Sequence, residues 1–190
     1  MAGRIENRID TFHFGGNGAF SFAIDNAALT DQSINTGKSE RRVRFTDTST
    51  PMVVDSNVFI DNTTNYDGLK RVAAKAASSF DIVAPFTAET TSSATANVWL
   101  QQENDWKFVG FEIHLNSASA TSENLTVTID SGLGAAWDVL VYSQDMNTVQ
   151  DLLYYPEKEI PMAAADILKF AWTNTNGELF GLKVKSRQVN

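Results

Sequence analysis

The segment Val109-Gly110-Phe111-Glu112-Ile113-His114-Leu115 decides the fold class. Val109, Phe111, Ile113 and Leu115 fall on one side of an extended chain and Gly110, Glu112 and His114 on the other, because successive strand side chains point to opposite faces. The same period of two returns, after short breaks, from Leu125 to Ile129 and from Trp137 to Tyr142. One buried and one wet face per strand is the pattern of an antiparallel β-sandwich. It names no chemistry.

Downstream, Asp151 to Tyr155 and Ile167 to Trp172 add two strands, Asn174-Thr175-Asn176-Gly177 reads as a tight hairpin, and Phe180, Leu182 and Val184 form a last strand. Upstream, Ala88 to Ala96 is small and polar and reads as a linker (residues 88–96), and Trp99, Trp106, Trp137 and Trp172 all follow it. The heavy core is therefore expected in residues 97–190, as an all-β, antiparallel, jelly-roll-like sandwich. Residues 19–87 read as a smaller β-rich region, with strands at Phe20 to Ile24, Arg41 to Thr46, Met52 to Val54 and Val58 to Ile60. Within it, Asp67 is placed to cap one short Ala-rich helix at 69–78. Residues 1–18, with spaced Ile5, Ile9 and Phe12, read as an N-terminal arm laid against a neighbour.

The 190 residues are 43% hydrophobic and 11% aromatic, enough to bury a core, and the formal net charge is −8. That net charge disfavours binding to a phosphate backbone, which needs clustered Lys and Arg to release counterions, so nucleic acid is an unexpected partner. Residues 1–95 carry nine Lys/Arg against eleven Asp/Glu and the remainder six against twelve, which puts most of the negative excess in the strand-rich half. Arg41, Arg42 and Arg44 form a local basic cluster that reads either as a salt-bridged strand edge or as a contact for an acidic partner protein. The absence of cysteine excludes a disulfide scaffold, a thiolate metal site and a Cys nucleophile. The start lacks the apolar run of a signal peptide and no run is long enough to span a bilayer, so synthesis in a cytoplasm and no membrane partner are expected.

Candidate chemistry is sparse, and neither a cofactor nor a metal is expected. Gly15-Gly16-Asn17-Gly18 leads into a strand and lacks the Lys-Ser/Thr of a phosphate loop, which leaves a turn. His13 and His114 are too few for a His-based zinc site. The loop with Asn65, Asp67 and Gly68 imitates a calcium loop but has Ala74 where a bidentate Glu is required. Asp130, Asp138, Asp145 and Asp151 lie near strand ends, where turn chemistry is the ordinary role and a calcium ion the alternative. Trp99, Trp106, Tyr154 and Tyr155 are candidates for stacking on a glycan, against core or intersubunit packing.

The stretches Glu123 to Gly132, Ala136 to Asp145, Ile160-Pro161, Asp166 to Asn174 and Gly181 to Lys185 resemble small β-sandwich virion structural proteins of tailed bacteriophages, of the capsid decoration (cement), head spike or tail-associated type. The resemblance covers about residues 97 to 187 and supplies no catalytic motif. It implies a non-enzymatic component of a particle, located in the virion and synthesised in the host cytoplasm. Its partners would be virion proteins such as the major capsid protein and further copies of the chain, as a homo-oligomer with a trimer favoured. Arg4, Arg8, Phe12, Arg41, Arg42 and Arg44 are the expected partner contacts. The alternative is a carbohydrate-binding or receptor-binding β-sandwich module of a phage spike or tail.

Overall fold

A computed structural model describes residues 8–32, 40–48 and 51–189. The first strands are β1 (Ile9–Gly16), β2 (Ser21–Ala23), β3 (Thr30–Asp31), β4 (Arg42–Thr46), β5 (Asn57–Asp61), β6 (Gly68–Ala76), β7 (Ser79–Val83) and β8 (Thr95–Asn97). They are followed by β9 (Trp99–Leu100), β10 (Trp106–Leu115), β11 (Asn124–Asp130), β12 (Val139–Asp145), β13 (Asp151–Tyr154), β14 (Ile160–Met162), β15 (Ile167–Ala171) and β16 (Phe180–Gln188). All pairings are antiparallel.

Two sheets face each other across the larger core. One has the order β1-β16-β10-β13, with β14 also on β10, and the other the order β12-β11-β15-β9. Phe111 of β10 meets Phe170 of the opposite sheet edge-on, with ring centroids 5.4 Å apart, and touches Tyr142 and Tyr154 at 5.4 and 5.6 Å. Each such ring, fully buried, is worth about 1.5–3 kcal/mol. Alternation along β10 is broken once. Val109 is an extra residue in a bulge between Phe108 and Gly110, so Trp106 and Phe108 point inward before it and Phe111, Ile113 and Leu115 after it. Val109 itself is only half-buried, and Phe108 takes the core place expected for it.

The expected arm is corrected at residues 9–16. Ile9 to Gly16 form the edge strand β1, in register with β16 from Ile9↔Arg187 to Gly16↔Phe180, with Phe12 and Phe14 turned into the sandwich. The sandwich therefore starts at residue 9 and is completed only after β9. Between those two strands the chain inserts a seven-stranded sheet of order β2-β8-β5-β6-β7-β4-β3. That sheet bends at β6, whose first half pairs with β5 and whose second half pairs with β7 across a bulge between Val72 and Ala74. The bend wraps it around a second core that includes Val43, Phe45, Ile60, Val72, Phe80 and Ile82.

The helix expected at 69–78 is strand β6 followed by the Ala77-Ser78 turn into β7, and no α-helix occurs among the described residues. Ala-rich composition favours helix weakly, and tertiary pairing overrides it: Val72 is wholly buried in the second core while Leu69 packs against the first. The linker expected at 88–96 is also corrected. Thr91 is buried and its amide donates to Ala27 O, Ile24 N donates to Ala94 O, and Thr95 to Asn97 pair with both β2 and β5. Its small residues fit between strands. The two cores meet along β5, where Val58 and Ile60 face the second core and Phe59 faces Trp99 of the sandwich at 5.6 Å.

Candidate assembly surfaces

The basic cluster is largely spent inside the inserted sheet. Arg42 is buried and donates to Glu40 at 2.9 and 3.2 Å, while Arg44 makes a two-pronged pair with buried Asp81 at 2.7 and 3.1 Å. The Asp81 hydrogen bond holds the Arg44 guanidinium above its ordinary pKa. Glu40 also receives Arg71; the hydrogen bond from Arg42, ahead of the charge of Arg71, holds its carboxyl below the ordinary range. Arg41 is exposed. Arg8 is exposed and pairs with Asp10 at 2.9 Å, Phe12 lies half-buried against the sandwich core, and Arg4 lies outside the described residues.

The four aromatic candidates separate by burial. Trp106 is wholly buried, and Tyr154 is half-buried against the core with its ring tilted 4.5 Å from that of Tyr142. Trp99 is half-buried between Phe59 and the Lys169 ammonium, which sits 4.3 Å from its ring centroid. Only Tyr155 offers a face to solvent, at 45% exposure. Its ring lies on Gly110, where a Cβ would come within 2.6 Å of the ring and 2.5 Å of Tyr154 O. The Tyr155 hydroxyl donates to Glu112 and accepts from Lys185 Nζ at 2.6 Å, and Lys185 reaches Glu112 at 2.5 Å. The hydrogen bond from Lys185, then that from Tyr155, holds the Glu112 carboxyl below its ordinary pKa, and the same partners raise Lys185.

The strand-end aspartates do local work. Asp138 accepts from Ser131 N at 3.0 Å, Asp145 from Ser122 Oγ at 2.7 Å and Asn147 N at 3.0 Å, Asp151 lies 2.6 Å from His114 Nδ1, and Asp130 pairs with Lys169. Among the described residues no group of three or more His, Asp or Glu side chains is placed to hold a metal ion, and no helix is long and apolar enough to cross a membrane.

Sequence reasoning missed the most exposed apolar feature among the described residues. Trp137, expected inside a strand, lies in a single 3₁₀ turn (Ala135–Trp137) before β12 and is 64% exposed. Leu133, Val139 and Leu140 beside it in the chain are 79%, 53% and 60% exposed. The loop is braced. Asp166 accepts from Gly132 N at 3.2 Å and Ala163 N at 2.8 Å, Ser131 Oγ accepts from Leu133 N at 3.2 Å, and Trp137 N donates to Gly134 O at 2.9 Å. Gly132 sits so close to Ala165 that a Cβ would lie 2.4 Å from the alanine methyl. Large apolar side chains held out by a hydrogen-bonded turn lose little freedom on binding. Leu133 and Trp137 together expose roughly 300 Å², within the range of the largest apolar patch on a monomer, and Val139 and Leu140, successive residues of β12, continue it on opposite faces of the strand.

The loop leads into β12, which is a free edge of its sheet, and β13 is a free edge of the other; Tyr142 and Tyr154 place the two edges on one flank of the sandwich. From Val139 to Gln144, β12 carries neither charge nor proline, the usual guards of an edge strand, although a bulge at Val141 twists it. The two histidines meet elsewhere. His13 and His114 both line an open depression of about 600 Å³, together with Val53, Val54 and Leu179, on the outer face of the β1-β16-β10 sheet. Comparison with protein-family models, with curated proteins and with solved structures gives no match.

Proposed function

We propose that the chain is a non-enzymatic structural protein of a phage particle, a decoration or cement protein that attaches to the capsid and joins copies of itself. The observation that carries this reading is the braced loop at Ser131–Asp138, which holds Leu133 and Trp137 in solvent beside the unguarded edge β12. Apolar anchors on a stiff support suit protein contact, where a few buried aromatics dominate the binding.

The jelly-roll reading of the sandwich is supported by strand order. Counted in chain order, with β13 and β14 as one strand, the first sheet holds the first, eighth, third and sixth strands and the second sheet the fifth, fourth, seventh and second. That alternation between sheets is the order of a jelly roll, an architecture found in viral capsid and lectin domains. Fold analogy alone assigns no function, and the loop carries the argument.

The test is mass spectrometry of purified particles from the host that carries the gene. The chain is expected in many copies per particle, released with or before the major capsid protein by mild denaturant. Its absence from intact particles refutes the reading. The carbohydrate-binding alternative is favoured by one feature, the exposed Tyr155 ring ringed by Glu112 and Lys185. A glycan array on which the chain binds and Tyr155→Ala does not would favour that alternative.

A further inference from the structure

The outer face of the β1-β16-β10 sheet has a bare floor. Gly15 of β1 and Gly181 of β16 are register partners, and Gly181 is also the partner of His114 of β10, so one row across the sheet runs Gly15, Gly181, His114 with two side chains missing. A Cβ placed at Gly181 would meet nothing within 4 Å, whereas one at Gly15 would already touch the Val53 side chain at 3.5 Å, so Gly181 is the open part of the floor. Val53 and Val54, both 42% exposed, wall the floor on one side, Leu179, 49% exposed, rises at its end, and His13 and His114 border it; together they shape the 600 Å³ depression. Walls and floor are chiefly apolar.

The same sheet shows how the protein treats a bare glycine. Gly110 is covered by the ring of Tyr155. An aromatic laid over a sheet glycine recovers the contact that the missing side chain forfeits. Gly15 is covered by the Val53 side chain rather than by a ring, and among the described residues nothing covers Gly181. The most exposed aromatic of the molecule, Trp137, is held on the braced loop at the other end of the sandwich: β10 runs from Trp106, beside the β14 segment that leads to Ala165 and Gly132, to Leu115, beside the depression. The chain thus carries a convex apolar knob and a concave apolar seat at opposite ends, so neither can reach the other within one copy.

We propose that Trp137, with Leu133, of one copy seats on the Gly15–Gly181 floor of a second copy. This deepens the assembly reading above and rests on its self-association part. Such a contact is head-to-tail, and head-to-tail contacts propagate until the rotation between copies closes them into a ring. A rotation that closes gives a cyclic oligomer, the class to which the expected trimer belongs, and one that does not gives an open filament. The exposed area of Leu133 and Trp137, roughly 300 Å², is under half of the ~800 Å² per partner of a standard interface, and β12 and the rest of the loop supply the remainder on that side of the contact.

Sedimentation velocity of the full chain over a range of micromolar concentrations tests the proposal, with two variants that act on opposite halves of the contact. Trp137→Ala removes the knob; Gly181→Val fills the seat at a position where the structure has room for the added side chain. Each is expected to weaken self-association by about 30-fold or more, the loss typical of a hot-spot aromatic, with unchanged circular dichroism and melting. Mixed in equal amounts, the two variants are expected to form a dimer and nothing larger, because the intact Trp137 of one meets the intact floor of the other. Leu133→Ser and Leu179→Ser repeat the experiment should either first variant fold poorly. A monomeric wild-type chain overturns the proposal, as does a Gly181→Val variant that assembles normally or a mixture that stays monomeric. A chain that is monomeric in solution yet abundant on particles would remove this contact and leave the proposed function standing.

Discussion

Phe14→Ala separates an arm from a strand. An arm laid on a neighbour would leave the stability of an isolated chain unchanged when its anchor is trimmed. Phe14 instead is 3% exposed and lies inside the sandwich core with Phe20 and Phe180, on a strand joined to β16 through eight register pairs. Buried Phe→Ala changes cost about 3–5 kcal/mol, through lost transfer energy and the cavity left behind. Because β1 is an edge strand with a small void of about 20 Å³ already beside the ring, the neighbours can close in partly, and the low end, about 3 kcal/mol, is expected. For a chain of this size that corresponds to a melting temperature lower by roughly 6–12 °C. The assay is urea unfolding followed by tryptophan fluorescence, which reads the sandwich because Trp99, Trp106, Trp137 and Trp172 all lie in it or on its loops. Phe45→Ala, in the second core, is the companion; within either variant, fluorescence and far-UV circular dichroism midpoints that do not coincide would show that the cores unfold independently. A loss under ~0.5 kcal/mol for Phe14→Ala, with an unchanged denaturant slope, refutes β1 as part of the sandwich.

Other consequences follow from single contacts. Gly110→Ala drives a methyl into Tyr154 O and the Tyr155 ring and should cost about 1–3 kcal/mol; Tyr155→Ala in the same chain relieves only the ring part, which a double-mutant cycle in urea measures. Glu112 has its carboxyl held below the ordinary 4.5 by Lys185 and Tyr155, so its contribution is complete above about pH 4.5 and disappears as pH falls through the lowered value. Glu112→Gln should therefore flatten the acid limb of a melting-temperature profile below that pH and is contradicted by a parallel limb. Asp166→Ala removes the acceptor of two loop amides and should cost about 1–2 kcal/mol while raising the mobility of the loop, read as exchange broadening of the Trp137 indole NMR signal. An unbroadened signal would mean that the brace is unnecessary.

The sandwich strands were legible where burial alternates without interruption. Leu125 and Val127, Leu168 and Phe170, and Phe180, Leu182 and Val184 are all buried as their spacing predicts. The signal failed at bulges and at turns without turn residues. A single extra residue at Val109 reverses the alternation, so a window that begins there assigns Val109 the place of Phe108. β6 was hidden twice over, by alanines that favour helix and by the Ala77-Ser78 turn, which carries none of the Gly or Asn that announces a hairpin. Residues 9–16 were misplaced for a different reason. Their partner is β16, more than 160 residues away, and nothing local distinguishes an edge strand that pairs at that distance from an arm.

The proposed assembly surfaces were least legible because they are defined by what they do not touch. Trp137 has the same composition and spacing as a core tryptophan, and only the 3₁₀ turn, closed by Gly134 and held through Asp166 from a different connection, turns it outward. Likewise Gly15 and Gly181 are two ordinary glycines until the register sets them side by side on one face. Arginines fail in the opposite direction: Arg42 and Arg44 form a basic run in sequence, yet neighbouring strands and loops supply Glu40 and Asp81 to neutralise them. Charge clusters read from sequence overstate what remains available to a partner, since antiparallel pairing brings opposite charges together across strands. Exposed apolar groups are understated for the matching reason, that a hydrophobic pattern is taken as burial by default. The proposed contact therefore lies at the exposed Trp137 and the Gly181 floor, and Arg42 and Arg44 are neutralised within the fold.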